Sequence, residues 1–362
     1  MTGQNMKRLG DYIRPVDVRN RDLKVERLLG ISVTKEFIPS IANTIGTDMS
    51  SYKIVYPNQF VYIADTSRRG DKIAIAYLKE NEEPALVSAI YTVFEVVDTN
   101  ALDPEYLMMW FRRPEFDRYA RFHSHGSARE VFDWEEMCEV QVPVPAIEKQ
   151  REIVAEYNTL ATRIETNKNL IATLEQTAQT LYRHTFIDNI DPNNLPEGWR
   201  MGTVGELFEL QRGFDLPTQN RENGEYPIYA STGIAEYHKE YKVKAPGIVT
   251  GRSGSIGEIF YVDEDFWPLN TTLWVKEFKK ATPFYAYYCL ENINLETLSQ
   301  GSAVPTLNRN DVHAQEFLIP DEKTLDLFEC QQKAIFKHKK NLAQENQTLT
   351  QMQTLLLSKM GA

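Results

Sequence analysis

A hydrophobic seam of seven-residue period occurs twice in this chain, and each copy demands a partner helix. In the first copy the apolar or small positions Ile153, Tyr157, Leu160, Ile164, Ile171, Leu174, Ala178 and Leu181 follow alternating three- and four-residue steps, with Asn167 as a polar interruption. In the second, Phe328, Ile335, Leu342, Leu349 and Leu356 recur every seven residues, and a shift of 175 residues lays them onto Ile153, Leu160, Asn167, Leu174 and Leu181. The seam itself is duplicated. Between its apolar positions the second row carries Gln332, Lys339, Asn346 and Gln353, which leaves a stripe too narrow to hold a lone helix in water. The spacing therefore predicts two long helices, over 147–186 and 322–359, packed on each other as a coiled coil. A helix of that length reaches about 57 Å.

The duplication extends beyond the helices. Gly126-Ser127-Ala128 recurs as Gly301-Ser302-Ala303 at the same shift, and Val144-Pro145 falls on Ile319-Pro320. Upstream the shift drifts as loops change length: Tyr77 and Pro84 fall on Tyr261 and Pro268 at 184 residues, and Leu9-Gly10-Asp11 on Val204-Gly205-Glu206 at 195. Runs 53–63, 73–78, 86–97, 256–262 and 270–278, rich in Val, Ile, Tyr and Phe, read as strands. Segments 103–112 and 283–291 read as helices opening at Asp-Pro and Thr-Pro starts, and 188–199 as a turn-rich linker. The expected fold class is α+β: two similar mixed α/β domains in tandem, residues 1–145 and 189–320, with long helices over 146–188 and 321–362. If a two-fold axis perpendicular to the bundle relates the halves, the helices run antiparallel, with pseudo-two-fold symmetry.

Length agrees, since 362 residues suffice for two cores of about 130–150 residues plus connecting helices. Hydrophobic content of 42% and charged content of 25% exclude disordered and fibrous classes. The longest nearly apolar run, 87–97, is broken by Glu95 and falls short of the roughly 20 residues that span a bilayer. Lys7 and Arg8 precede no apolar signal-like region, so the expected compartment is the cytoplasm. Cys138, Cys289 and Cys330 are far apart and odd in number, which argues against disulfides and a zinc site, and no cofactor is expected. A net charge of -11 opposes a free-standing nucleic-acid binder. Cations nevertheless gather at Arg14, Arg19, Arg21 and Lys24, at Arg68, Arg69 and Lys72, and from Arg112 to Arg129, so an acidic chain can present a basic face.

Several motifs bear on chemistry. The run Gly251-Arg252-Ser253-Gly254-Ser255-Ile256-Gly257 describes a tight hairpin first, although its N–H groups, hydroxyls and guanidinium also suit phosphate. It lacks the Gly-Lys-Ser/Thr of a Walker A loop and the final glycine of a nucleophile elbow. Arg121, His123, His125 and Arg129 around Gly126 suit a DNA groove, and fit a plain surface loop as well. The His-x-His pair has no further ligands at metal-site spacing. Arg68 and Arg69 occupy a loop between strand-like runs, where recognition residues sit on rigid scaffolds; an exposed ion-pairing role is the alternative. Asp265 with Glu277-Phe278-Lys279, and Asp311 with Asp321-Glu322-Lys323, formally match a nuclease metal site, but such triplets arise by chance in a chain with 51 acids and 40 bases. No amino-methyltransferase tetrapeptide of the Asn/Asp-Pro-Pro-Tyr type occurs.

Leu195-Pro196-Glu197-Gly198-Trp199-Arg200, Val204-Gly205-Glu206-Leu207, Arg212-Gly213-Phe214, the 251–257 run, Asn270-Thr271-Thr272 and Gly301-Ser302-Ala303-Val304-Pro305-Thr306-Leu307 together resemble the target-recognition domain of type I restriction-modification specificity subunits. The first half is similar more loosely: Arg69-Gly70-Asp71-Lys72 replaces the Gly-rich loop, and Ala128-Arg129-Glu130-Val131-Phe132 replaces 303–307. The resemblance implies a non-catalytic subunit that binds double-stranded DNA and assembles with two modification (methyltransferase) and up to two restriction (endonuclease/translocase) subunits. Adenine-N6 methylation and ATP-dependent cleavage would belong to those partners. Dissimilar heads imply a bipartite, asymmetric target. The expected DNA contacts are Arg14, Arg19, Arg68, Arg69, Lys72, Arg121, His123, His125 and Arg129 in the first half, and Arg212, Arg252, Ser253, Ser255 and Arg309 in the second. A free-standing nuclease and a protein-binding adaptor are the rival readings.

Overall fold

The computed structural model describes residues 6–40, 46–65, 70–126, 130–188, 190–300 and 305–361. The chain divides into two compact units, Met1–Asn167 with Gln344–Ala362, and Lys168–Ala343. The long helices run Ile147–Phe186 and Glu322–Lys359, and each contributes one stretch to each unit. Pro320 and Asp321 fix the start of the second: proline ends the preceding strand, and Asp321 accepts from Thr324 N at 3.1 Å as an N-terminal cap.

In the first unit a four-stranded antiparallel sheet has the order Ile13–Val16, Thr92–Val96, Gln59–Ile63, Ala74–Tyr77. Alternation along Gln59–Ile63 divides its side chains between two buried faces. Phe60 and Tyr62 join Phe94, Phe111 and Phe116 in the larger core, while Val61 and Ile63 join Leu29, Ile31, Val55 and Val87 in a second one. The run read as one strand over 86–97 is two, Ala85–Val87 and Thr92–Val96, because the chain turns between them with Tyr91 N donating to Ser88 O. Helices Pro104–Phe111 and Pro114–Phe122 cover the larger core.

The second unit repeats this plan. Its sheet has the order Phe208–Arg212, Thr272–Phe278, Gly247–Gly251, Ile259–Val262, again antiparallel. Ile248 and Leu273 face a core with Tyr285 of helix Pro283–Asn292, and Val249 and Trp274 face a smaller core with Tyr229 and Phe266. In both units a short strand near the start pairs with the strand that precedes a long helix: Met6–Arg8 with Gln141–Pro143, and Arg200–Thr203 with Glu316–Ile319.

Within each unit the long helices pack antiparallel. In the first, Arg163 pairs with Glu345 at 2.8 Å and Asn167 Nδ2 donates to Asn346 Oδ1 at 2.9 Å, while Tyr157 and Met360 share one core. In the second, Glu175 pairs with Lys339 at 2.7 Å, and Gln332 Nε2 donates to Ala178 O at 3.1 Å. Tyr157, Phe328 and Leu342 are buried, and Ile153, Leu160, Ile164, Ile171, Leu174, Leu181, Ile335, Leu349 and Leu356 are half-buried. Glutamine and glutamate residues join the helices to the heads. Gln150 accepts from Asp103 N at 2.8 Å, and Glu329 accepts from Phe284 N at 2.9 Å, each at the start of a helix in its unit. All three cysteines are free thiols. Among the described residues no helix is long and apolar enough to cross a membrane.

Candidate nucleic-acid interface

The second unit brings together motifs that lie far apart in sequence. Residues 251–257 form the hairpin between strands Gly247–Gly251 and Ile259–Val262. Arg252 N and Ser253 N both donate to Thr271 O, at 2.8 and 3.2 Å, and Gly254 N donates to Pro305 O at 3.2 Å. Leu307 N returns a bond to Arg252 O at 2.8 Å. The turn itself requires glycine: Gly254 and Gly257 have φ of +88° and +104°, and a Cβ on Gly251 would lie 1.8 Å from Ser255 O.

Arg212 and Gly213 reach the same junction, where Gly213 N donates to Thr272 O at 3.1 Å. Arg212 lies 3.8 Å from Asp215, and Asp215 also accepts from the Asn270 side chain. Ser255 and Arg309 are exposed, Arg252 and Ser253 half-buried. Ser231, which no motif marks, lies against Gly251 and Gly254. Near Arg309, His313 Nε2 accepts from Leu210 N at 2.8 Å, so the ring is neutral with its proton on Nδ1. Burial, then the charges of Lys279 and Arg309, hold His313 below the ordinary imidazole range, against the opposing pull of Glu209.

The first unit builds the corresponding junction with other chemistry. Its hairpin links Gln59–Ile63 to Ala74–Tyr77 and docks on the segment near 131: Phe132 N donates to Ala64 O at 2.8 Å, and Asp65 bridges to Val131. These pairings match Leu307 with Arg252 and Ser253 with Thr306 in the second unit. Lys72 is exposed on the returning arm. Arg121, at the end of helix Pro114–Phe122, pairs with Asp71 at 2.9 Å and with Glu130. His123 stacks on Tyr119 and lies 3.1 Å from Glu136, whose other oxygen lies 3.5 Å from His125. Arg68, Arg69 and Arg129 lie outside the described residues.

Arg14 and Arg19 lie at strand level, paired with Glu95 at 2.5 Å and Asp17 at 2.7 Å. Several expected contact residues therefore hold intramolecular carboxylates. Exposed pairs of this kind are worth only about 0.2–1 kcal/mol, so phosphate can displace the carboxylate at small cost. Helix Pro114–Phe122 lies beyond the segment expected to be helical over 103–112, and proline at its start, Glu115 in its first turn and the Phe116, Tyr119, Ala120 spacing are its sequence signals.

The triplets matching a nuclease pattern have structural partners: Asp265 caps Ala245 N at 2.9 Å, and Asp321 accepts from Trp199 Nε1 at 2.6 Å. Among the described residues no group of three or more His, Cys, Asp or Glu side chains is placed to hold a metal.

One domain plan, present twice and presenting a hairpin junction in each copy, defines a tandem two-headed protein. The family model for the type I restriction modification DNA specificity domain matches residues 12–176 and again residues 196–356. The chain belongs to that family of specificity subunits. It is 23% identical over 302 residues to the type I restriction enzyme MjaIX specificity subunit of Methanocaldococcus jannaschii, covering 73% of this chain and 70% of that one. Its fold is similar to the S subunit of a type I restriction-modification system from M. genitalium, with a TM-score of 0.67 at 16% identity over 99% of this chain and 97% of that one. A chain from a structure of type I R-M complex assembly and conformational transition is also similar, with a TM-score of 0.52 at 15% identity over 100% and 98% of the two chains.

Proposed function

We propose that this chain reads a bipartite, asymmetric duplex sequence, one half-site per unit, and docks methyltransferase and restriction subunits through its long helices and adjacent head surfaces. It carries no catalytic group of its own; adenine-N6 methylation and ATP-dependent cleavage belong to the partners. The observation that carries the reading is the matched hairpin junction of the two units, equivalent in backbone pairing and dissimilar in side chains. A shared scaffold with different exposed groups suits two different base sequences. In the first unit Lys72, Arg121, His123 and His125 are proposed to face DNA, together with Arg14, Arg19, Arg68, Arg69 and Arg129. In the second, Arg212, Arg252, Ser253, Ser255 and Arg309 take that role.

With a net charge of -11 and its cations partly neutralised, the isolated chain is expected to bind DNA weakly, partner subunits supplying much of the phosphate contact. Sequencing methylated motifs made by the assembled complex tests the reading. Two unlike half-sites separated by an unread gap are expected, and a gapless or palindromic motif contradicts it.

A further inference from the structure

Beneath the first unit's hairpin lies a buried ion pair that the sequence does not announce. Lys35 Nζ lies 2.7 Å from Asp117 Oδ1 and donates to Ile73 O at 2.9 Å, while Ile73 N donates to the same Asp117 oxygen at 3.2 Å. Lys35 is 5% exposed and Asp117 9%, and the ammonium faces the Phe116 ring at 5.5 Å. Lys35 also holds a φ of +68°, a left-handed backbone that side chains with a Cβ rarely adopt. Burying two charges costs desolvation, and apolar residues of similar volume often serve stability equally well. Stability alone is therefore a poor reason for this arrangement.

The helix geometry supplies a better one. Asp117 and Arg121 stand one turn apart on the same face of helix Pro114–Phe122. Asp117 pins the backbone of Ile73, and Arg121 grips Asp71 at 2.9 Å two residues earlier on the same arm. The pair thus fixes the arm that carries Lys72 against the helical turn that carries Arg121. In the second unit the corresponding hairpin is held by the Thr250 hydroxyl on Glu258 O at 2.9 Å and by backbone bonds to Thr271 and Pro305.

We infer that Lys35 and Asp117 are positioning residues that set base specificity in the first unit's half-site only. They do not touch DNA; they hold Lys72 and Arg121 in register with it. The inference rests on the proposed reading that this hairpin faces DNA.

The test uses the full complex with its modification subunits, carrying Lys35→Met or Asp117→Asn, and sequences the methylated motifs. Methylation of targets with one altered base in one half-site is expected to rise about tenfold, with the other half-site unchanged. The paired variant Lys35→Met with Asp117→Asn removes both buried charges and decides the matter if either single variant does not fold; the same relaxation is expected. An unchanged consensus with uniformly lower methylation marks a purely structural role and overturns the inference, as does relaxation of both half-sites. A wild-type complex without a bipartite motif fails the underlying reading and removes the inference with it, whereas an intact wild-type motif with an unchanged variant consensus fails the clamp alone.

Discussion

The two heads share a strand order and differ in how they hold their hairpins. The second relies on backbone: three glycines in tight positions and main-chain bonds from Arg252, Ser253 and Gly254 to two neighbouring loops. The first shares the backbone docking, through Ala64, Asp65, Val131 and Phe132, and adds charge, with Lys35 and Asp117 buried below the arm. A backbone-held loop is rigid whatever its exposed side chains are. A loop that also depends on a buried side-chain pair ties its position to particular residues, so the first head is the more sensitive to substitution at Lys35 and Asp117. The same scaffold thus carries two recognition surfaces whose tolerances to mutation differ.

Substitutions in the two units sharpen the contrast. The largest effect is expected at the joint between long helix and head. Phe328 is 1% exposed in the second unit's core, so Phe328→Ala should cost about 3–5 kcal/mol in denaturant unfolding. Ile153, its counterpart at the 175-residue shift, is half-buried, and Ile153→Ala should cost about 1–2 kcal/mol. Equal losses would show that the joints are equivalent after all. At the hairpins, Gly251→Ala forces a Cβ onto Ser255 O and should cost about 2–3 kcal/mol. Gly70→Ala, whose Cβ would meet nothing within 4 Å, suffers only its φ of +68° and should lose about 1 kcal/mol.

The smallest effect is a pH dependence. The folded His313 sits below its unfolded value, so the unfolded chain binds the extra proton first and stability falls as pH drops below about 6.5. Stability measured between pH 7.5 and 5.5 should fall less steeply in His313→Gln, which can still accept from Leu210 N. An identical pH slope in that variant would remove His313 from the account.

Much of this architecture is legible in the sequence because it is periodic. The two long helices follow from the heptad rows, and Val131 and Thr306 occupy equivalent bridges at the shift that relates the two halves. The polar positions of the second row illustrate what periodicity leaves out. Gln332, Lys339 and Asn346 narrow the stripe when read alone, yet each meets a partner on the first helix: Ala178 O, Glu175 and Asn167. A one-helix pattern cannot show such pairings, which depend on the antiparallel register.

The interface was legible only in part. Gly-rich turns and local clusters of cations are visible in sequence, so residues 251–257 and Arg121 stand out. The carboxylate that neutralises Arg121 comes from a distant segment, at Asp71, and Lys35 meets Asp117 across 82 positions. Only tertiary structure juxtaposes them.

On the proposed reading each head reads its own half of the target through its own hairpin junction. Motif sequencing of complexes carrying Arg121→Ala or Arg252→Ala tests it most directly. Each variant should relax one half-site and leave the other intact, the two variants affecting opposite halves. Relaxation of the same half by both, or of both halves by either, would contradict it.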